Sequence, residues 1–236
     1  MTVLPPLRAV LFDRDDTIAC TDRAVSREAA TWAAERHSLD VTHVGQVLAD
    51  VWSESISPDR SSSWWHLRTP ADEDAFWQAY GQELARRLNL SPEAAAEWMA
   101  RYPYEAYMKA VPGARDVLSA LRARGLKVGV LSNTLPSIDR TLAFVGLADV
   151  VDVAIATCTV GVHKPDAGSY LHAAQALDCT PAEVLFIDDK PENVHAAEAL
   201  GMRARVIDLS GQNPDALHTL GEVLDVVDAR AARVGA

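Results

Sequence analysis

The chain has 236 residues, enough for one large hydrophobic core or two modest ones. Its composition, 49% hydrophobic and 23% charged, is that of an ordinary soluble globular protein. The net charge of -11 argues against sequence-independent binding of nucleic acid, which needs Lys and Arg to neutralise phosphates, but it allows a small phosphorylated ligand held by a metal.

No targeting or membrane segment is apparent in the sequence. Residues 1–8 contain no sustained apolar run, and no stretch reaches the roughly 18 apolar residues of a membrane span. Cys20, Cys158 and Cys179 are too scattered for a disulfide framework or a zinc site. We therefore expect a cytoplasmic protein with no membrane partner. The sequence leaves the oligomeric state open.

The first predicted strand covers residues 9–12 and runs directly into Asp13, Asp15, Asp16 and Thr17. Its apolar pattern is typical of a buried parallel strand, and open α/β sheets bind ligands at the carboxyl ends of such strands. Asp13 and Asp15 point to the same side of an extended chain, where their charges repel. A hard divalent cation such as Mg²⁺ would relieve that repulsion. A solvated acidic turn would have the same sequence, so the rest of the chain has to decide.

Helical spacing dominates from residue 22 to residue 108, where no β-rich run occurs. All six tryptophans lie in this stretch: Trp32, Trp52, Trp64, Trp65, Trp77 and Trp98. Their concentration predicts a separate helical unit, with its own core, inserted into an α/β domain. Trp64 and Trp65 are neighbours and cannot both face one core, so we expect their loop to present an aromatic face to a substrate or partner.

Strands and helices alternate again after this insert. We predict strands at 127–131, 150–156, 183–187 and 203–207, and helices at 114–124, 136–144, 167–177, 191–200 and 215–226. Such alternation implies right-handed crossovers and a parallel sheet covered on both faces. The expected fold class is α/β, a doubly wound Rossmann-like parallel sheet with an inserted all-helical domain.

Polar side chains follow four of the predicted strands: Asp13 with Asp15, Ser132, Lys164, and Asp188 with Asp189. The carboxyl ends of the strands converge on one crevice in a doubly wound sheet. The sequence has no glycine-rich dinucleotide fingerprint, P-loop, G-x-S-x-G elbow or H-E-x-x-H helix. A combination of carboxylates, a hydroxyl and a lysine instead suits phosphoryl transfer.

These groups can share the work of hydrolysing a phosphate ester. We expect Asp13 to be the nucleophile that forms an aspartyl-phosphate, and Asp15 to act as general acid and then as general base. Ser132 would donate a hydrogen bond to one phosphoryl oxygen, and Lys164 would neutralise others. Each residue could instead be an ordinary turn residue, loop charge or helix cap. That explanation would have to be correct at all four strand ends at once.

The metal ligands are expected among the carboxylates. Asp189, with Asp188, would hold Mg²⁺ alongside Asp13. His163 and His195 are not expected to be ligands, because hard Mg²⁺ prefers oxygen.

Four motifs, in this order, resemble those of the haloacid dehalogenase-like (HAD) hydrolase superfamily: 12–17, 131–134, 164–166 and 186–194. The resemblance extends over nearly the whole chain. It implies a core domain of residues 1–20 and 109–236, and a helical cap domain of residues 21–108 that closes over the active site.

The same resemblance implies further site residues. It implies Mg²⁺ dependence, and it implies that Asp15 binds the metal through its carbonyl more than through its carboxylate. Thr17 and Asn133, which lie in the first and second motifs, are expected to contact the phosphate together with Ser132 and Lys164.

Asp15 distinguishes between branches of the superfamily. Dehalogenases lack an acid two residues after the nucleophile, whereas phosphatases and phosphomutases use one to protonate an alkoxide leaving group. The chain therefore looks like a phosphatase acting on a small phosphorylated metabolite. A phosphomutase with the same pair of aspartates, and a non-catalytic HAD-like binding protein, remain alternatives.

The sequence departs from the family pattern at two positions. Asp16 stands where the family usually has Gly, and its extra carboxylate could weaken phosphate binding. Asn193 replaces a frequent Asp and is expected to orient the metal site. Substrate choice is expected to depend on the cap, where Arg60, His66 and Arg68 are the polar residues to test first.

Overall fold

The computed structural model describes residues 5–60 and 62–234, with side chains up to residue 229. Seven strands lie in this part of the chain: β1 Ala9–Phe12, β2 Ala19–Thr21, β3 Met108–Ala110, β4 Lys127–Ser132, β5 Val153–Ala156, β6 Val184–Asp188 and β7 Arg203–Val206. Five of them form a parallel sheet in the order β5-β4-β1-β6-β7, and β2 pairs with β3 in a separate antiparallel ribbon.

Helices cover both faces of the sheet and build the insert: α1 Arg23–His37, α2 Val41–Ser55, α3 Pro70–Leu88, α4 Pro92–Arg101, α5 Ala114–Ala123, α6 Ile138–Phe144, α7 Thr157–Val160, α8 Ala167–Ala176, α9 Pro191–Ala199 and α10 Gly221–Val234. The predicted fold class, a doubly wound parallel sheet with a helical insert, is confirmed. None of the helices within the described ranges is both long enough and apolar enough to cross a lipid bilayer.

The side chains of β1, at the centre of the sheet, alternate between two cores. Val10 and Phe12 pack on the face covered by α5 and α10, whereas Ala9 and Leu11 pack on the face covered by α8 and α9. All four side chains are fully buried, as expected for a parallel strand enclosed on both sides. Asp13 therefore follows the last apolar residue of the strand and stands at the carboxyl edge of the sheet.

The helical insert has a core of its own, formed by α1 to α4. Trp98 is buried in this core, and three other tryptophans pack against it: Trp32, Trp52 and Trp77. The remaining two, Trp64 and Trp65, both pack against the core of the sheet. The expectation that these neighbours cannot face one core is therefore wrong. This packing supports our proposal that residues 21–108 form a cap domain with its own core.

An antiparallel ribbon connects the insert to the sheet. In β2 and β3, Ala19 pairs with Ala110 and Thr21 with Met108, so the two crossings between sheet and insert run side by side. The sequence analysis does not predict this ribbon. Its strands have three residues each, too few for a periodic signal, and each strand finds its partner only at the other end of the insert.

The last helix differs from its predicted position. The sequence pattern predicts residues 215–226, whereas α10 covers Gly221–Val234. The N–H of Leu217 donates to the Val206 carbonyl over 2.9 Å, and the N–H of Asp208 donates to the Leu217 carbonyl over 2.7 Å. These bonds hold the predicted first turn as an extended segment beside the end of β7, so the helix begins later.

Glu73, in the first turn of α3, links the insert to the sheet domain. Its buried carboxylate accepts hydrogen bonds from the Ser137 N–H at 2.8 Å and the Ser137 hydroxyl at 2.6 Å, and from Arg140 and Trp77. Replacing Glu73 with Ala should lower the free energy of unfolding by about 2 kcal/mol, because it leaves the half-buried Ser137 N–H without an acceptor. Urea unfolding measures this loss.

The matched control is Glu35→Ala, since Glu35 is an exposed glutamate on α1. Its free energy of unfolding should change by less than about 0.5 kcal/mol. Equal stability of the two variants would show that the Glu73 contacts contribute nothing measurable.

Candidate active site

The ends of β1, β4 and β6 bring three polar residues to one edge of the sheet: Asp13, Ser132 and Asp188. Phe12 lies between Val130 of β4 and Ile187 of β6, and the N–H of Asp13 donates to the Ile187 carbonyl over 2.8 Å. Asp13 is thus fixed by the strand ladder beside Asp188, the last residue of β6.

Lys164 joins these strand ends. Its Nζ donates to Asp13 Oδ1 over 2.5 Å and to Asp188 Oδ2 over 2.7 Å. All three side chains are buried, so water screens these charges little. Residues that are far apart in sequence therefore form one charged cluster, as the sequence analysis expects of a shared crevice.

The charges of this cluster are not balanced. Burial raises the pKa of Asp13, the charges of Asp188 and Asp15 raise it further, and the Lys164 ammonium opposes them. Burial acts to lower the pKa of Lys164, but the Asp13 and Asp188 carboxylates outweigh it and raise that pKa. Burial, reinforced by Asp188, raises the pKa of Asp189 to about 6. One ammonium thus faces three carboxylates, which leaves a negative site.

The carboxylates suit a divalent cation. Oxygen atoms of Asp13, Asp188 and Asp189 lie within 4.8 Å of one another. Both Asp188 oxygens also accept from the Asn193 side chain over 3.0 Å, and Oδ1 accepts from the Lys190 N–H over 2.8 Å. An all-oxygen, negatively charged set of this kind fits Mg²⁺, which coordinates oxygen and keeps several of its waters.

The two aspartates of the fourth motif differ in their hydrogen bonding. Asp188 is held by Lys164, Asn193 and Lys190. Within the described ranges, the Asp189 carboxylate has no hydrogen-bond partner, and it is only half-buried. Asp189 is therefore the freer of the two to bind a metal, and Asn193 orients Asp188.

Two predicted phosphate contacts are buried hydroxyls whose hydrogen-bonding capacity is unused. Ser132 Oγ at the end of β4 and Thr17 Oγ1 after β1 have no hydrogen-bond partner among the described residues. Buried polar groups are usually satisfied, so these two unpaired hydroxyls are available to a ligand that accepts hydrogen bonds.

Asn133 mainly positions the lysine loop. Its Oδ1 accepts from the Lys164 N–H over 2.9 Å and from the Thr157 hydroxyl over 2.8 Å, while its Nδ2 donates to the Lys164 carbonyl over 2.9 Å. One amide hydrogen remains available, so the expected phosphate contact stays a prediction. His163 Nδ1 lies 2.8 Å from the same Thr157 hydroxyl and its Nε2 lies 3.0 Å from the Trp65 carbonyl, while His195 lies on α9.

Arg14 is a site residue that the sequence analysis missed. Its buried guanidinium forms a fork with Asp15, at 3.0 Å to each carboxylate oxygen, and donates to the Tyr104 hydroxyl over 2.8 Å. Arg14 therefore ties Asp15 to the last turn of the insert. Its position between two aspartates was the available signal, but its partner Tyr104 is 90 residues away in the chain.

Asp16 occupies a left-handed conformation, with φ of 53°, in the turn where the family usually has Gly. Replacing Asp16 with Gly suits this geometry and removes a carboxylate beside the site. We expect KM for a phosphate ester to fall a few-fold, since charges near a protein surface interact by about 1 kcal/mol or more at short range. Steady-state kinetics test this.

Asp16→Asn separates charge from backbone geometry, because Asn tolerates the left-handed region and is neutral. It should lower KM as Asp16→Gly does. An unchanged KM in both variants would show that the Asp16 charge does not reach the substrate.

The cap residues chosen from sequence lie outside the pocket near the carboxylates. Arg60 forms an ion pair with Glu54 at 2.9 Å, and the His66 ring contacts the Pro58 carbonyl at 3.3 Å. Arg68 donates to the carbonyl of Cys158 over 2.8 Å and thereby fastens its loop to the sheet domain.

A pocket of about 410 Å³ lies between insert and sheet, and its lining includes Asp15, Asn133, Lys164 and both members of the Trp64-Trp65 pair. A larger groove of about 940 Å³ runs past Asp16 and Asp189. The first pocket is lined by Lys164, which contacts Asp13 and Asp188, and is the candidate substrate site.

A model of the family described as haloacid dehalogenase-like hydrolase matches residues 7–201. The chain belongs to this family. The chain is similar to the Phosphatase MT3486 of Mycobacterium tuberculosis (strain CDC 1551 / Oshkosh). The two are 34% identical over 231 residues, which cover 93% of this chain and 97% of the relative. The HAD hydrolase family thus accounts for the motifs and for the fold.

Relatives of this HAD hydrolase include dehalogenases as well as phosphatases. The (S)-2-haloacid dehalogenase 1 of Pseudomonas sp. (strain CBS-3) is 27% identical over 201 residues, 84% of this chain and 83% of the relative. The crystal structure of the HAD phosphatase from Thermococcus onnurineus superposes with a TM-score of 0.64 at 23% identity, over 94% of this chain and 98% of that one. The reaction therefore has to be argued from the site.

Proposed function

We propose that the protein is a cytoplasmic, Mg²⁺-dependent phosphatase that hydrolyses a small phosphorylated metabolite through an aspartyl-phosphate. The observation that carries this proposal is the contact of Lys164 with both Asp13 and Asp188, with Asp15 two residues beyond Asp13. An acid at that position serves the protonation of an alkoxide, which a dehalogenase has no need for.

In the first step, an oxygen of Asp13 attacks phosphorus and the bond from phosphorus to the ester oxygen breaks. Asp15 gives its proton to the departing alkoxide. Ser132 and Thr17 donate hydrogen bonds to phosphoryl oxygens, while Lys164 supplies positive charge. Asp15 faces Arg14 in the structure, so proton transfer requires it to release one guanidinium contact when substrate binds.

In the second step, Asp15 takes a proton from water as the water oxygen attacks phosphorus. The bond between phosphorus and Asp13 breaks, which releases inorganic phosphate and restores the carboxylate. Asp13, Asp189 and the Asp15 carbonyl would hold Mg²⁺, with Asp188 oriented behind them. When bound, the cation supplies charge that stabilises the phosphoryl oxygens.

Release of p-nitrophenol from p-nitrophenyl phosphate tests the proposal. We expect turnover with millimolar Mg²⁺ and its loss on addition of EDTA, restored by excess Mg²⁺. Chloride release from 2-chloropropionate, measured in parallel, should stay at background. The opposite pattern, chloride release without phosphatase activity, would assign the protein to the dehalogenases.

A further inference from the structure

The pocket between insert and sheet has an aromatic wall. Trp52, Trp64, Trp65 and Tyr104 line it, all contributed by residues 21–108, with Ile56 beside them. Asp15 and Lys164 supply polar groups to the same lining, and Arg14 joins Asp15 to the Tyr104 hydroxyl. A molecule in this pocket would thus contact both reacting groups and aromatic rings.

The aromatic side chains are held in place before any ligand binds. The Trp52 and Tyr104 rings stack with centroids 5.8 Å apart and an interplanar angle of 28°. Trp65 Nε1 donates to the Ile56 carbonyl over 3.0 Å, and its ring lies 4.2 Å from that of His163. Trp52, Trp65 and Tyr104 are only half-buried, so apolar surface remains for a ligand to cover.

The charges around the pocket disfavour a second anionic group on the ligand. Its lining contains two cations, Lys164 and Lys190. Lys164 is bound to two carboxylates, and the charge of Lys190 acts on Asp16 and Asp189. The lining also carries two carboxylates, Asp15 and Glu192. Two arginines of the insert have other partners, Arg60 with Glu54 and Arg68 with backbone carbonyls. Arg14 lies buried behind Tyr104 and is already paired with Asp15, so a carboxylate placed against the aromatic wall would lose water without gaining a cation of its own.

We propose that the substrate is a phosphate monoester of an aromatic or similarly flat, uncharged alcohol, and that phosphorylated amino acids and hydroxy acids are poor substrates. The proposal rests on the phosphatase function proposed above. The pocket volume of about 410 Å³ suits a ring next to the phosphate. Ring stacking would supply binding energy, and acids would be disfavoured because the lining cations already face carboxylates.

Three alkyl phosphates with comparable leaving groups test the substrate class: benzyl phosphate, ethyl phosphate and phosphoserine. We expect kcat/KM for benzyl phosphate to exceed that for each of the others by tenfold or more. Comparable values for benzyl and ethyl phosphate, or a preference for phosphoserine, would overturn the substrate class and leave the phosphatase function intact. Absence of turnover with every ester in Mg²⁺ would instead contradict the phosphatase function.

Binding provides a readout that does not depend on turnover. Calorimetry should show tighter binding of benzylphosphonate than of phosphonoacetate, by at least tenfold, and the reverse order would overturn the proposal. Trp52→Leu should reduce the ratio of benzyl to ethyl kcat/KM by tenfold. The matched control is Trp32→Leu, since Trp32 packs against Tyr102 and His37 away from the pocket lining, and it should leave the ratio unchanged.

Discussion

Replacing Asp13 with Asn is expected to reduce phosphate release by about 10⁴-fold or more, the scale on which loss of an enzyme nucleophile acts. The amide keeps the shape of the side chain but is too weak a nucleophile to form the aspartyl-phosphate. It also removes one buried carboxylate from a cluster in which three carboxylates face one ammonium. The variant should therefore fold, and its free energy of unfolding without metal should not fall.

Asp139→Asn is the control, since Asp139 is an exposed aspartate on α6. It should retain full activity. Rapid-quench experiments with a ³²P-labelled ester should find acid-stable label on the wild-type protein and none on Asp13→Asn. Wild-type rates in Asp13→Asn would end the proposal that this residue is the nucleophile.

Replacing Lys164 with Met is expected to lower the free energy of unfolding by about 3–5 kcal/mol, because it leaves two buried carboxylates without their common cation. Activity should fall by about 10²-fold or more, since the ammonium also faces the phosphoryl oxygens. Urea unfolding in EDTA measures the first effect, and steady-state kinetics in Mg²⁺ measure the second.

Two further variants define the cause. Lys109→Met breaks an ion pair of 3.5 Å with Asp22 at the surface, and it should change stability by less than about 1 kcal/mol. Adding Asp188→Asn to Lys164→Met removes one of the two uncompensated carboxylates and should recover part of the lost stability. If the Lys164 and Lys109 variants are equally stable, the ion pairs of Lys164 with the two buried carboxylates do not stabilise the fold as proposed.

Much of the fold could be predicted because the sheet strands have a strong local signal. Val184–Asp188 is an apolar run that no exposed strand or helix would favour, and its polar end is visible in the sequence. The ribbon of β2 and β3 and the start of α10 could not be predicted, because both depend on backbone partners that are distant in sequence. Leu217, for example, bonds to the end of β7 although its own segment reads as a helix.

The site could be predicted in part for the same reason. Asp13 follows β1 and Asp188 ends β6, its neighbour in the sheet, so topology alone brings them together. Lys164 lies in the segment after β5, on the other side of β1. The partners of Asn133 and Arg14 could not be predicted, because an amide or guanidinium close to the reacting carboxylates can face substrate or protein equally well. The aromatic wall was foreseen only at Trp64 and Trp65.

The pairing of β2 with β3 has a consequence for how such proteins can diversify. Because Ala19–Thr21 and Met108–Ala110 are hydrogen-bonded to each other, the chain leaves and re-enters the α/β domain at one place, the β2-β3 ribbon. The insert between β2 and β3 can be lengthened, shortened or exchanged while the strands that carry Asp13 and Asp188 keep their register. Ligand choice can in this way change on a common base, provided that the contact of Tyr104 with Arg14, which holds Asp15, is kept or replaced.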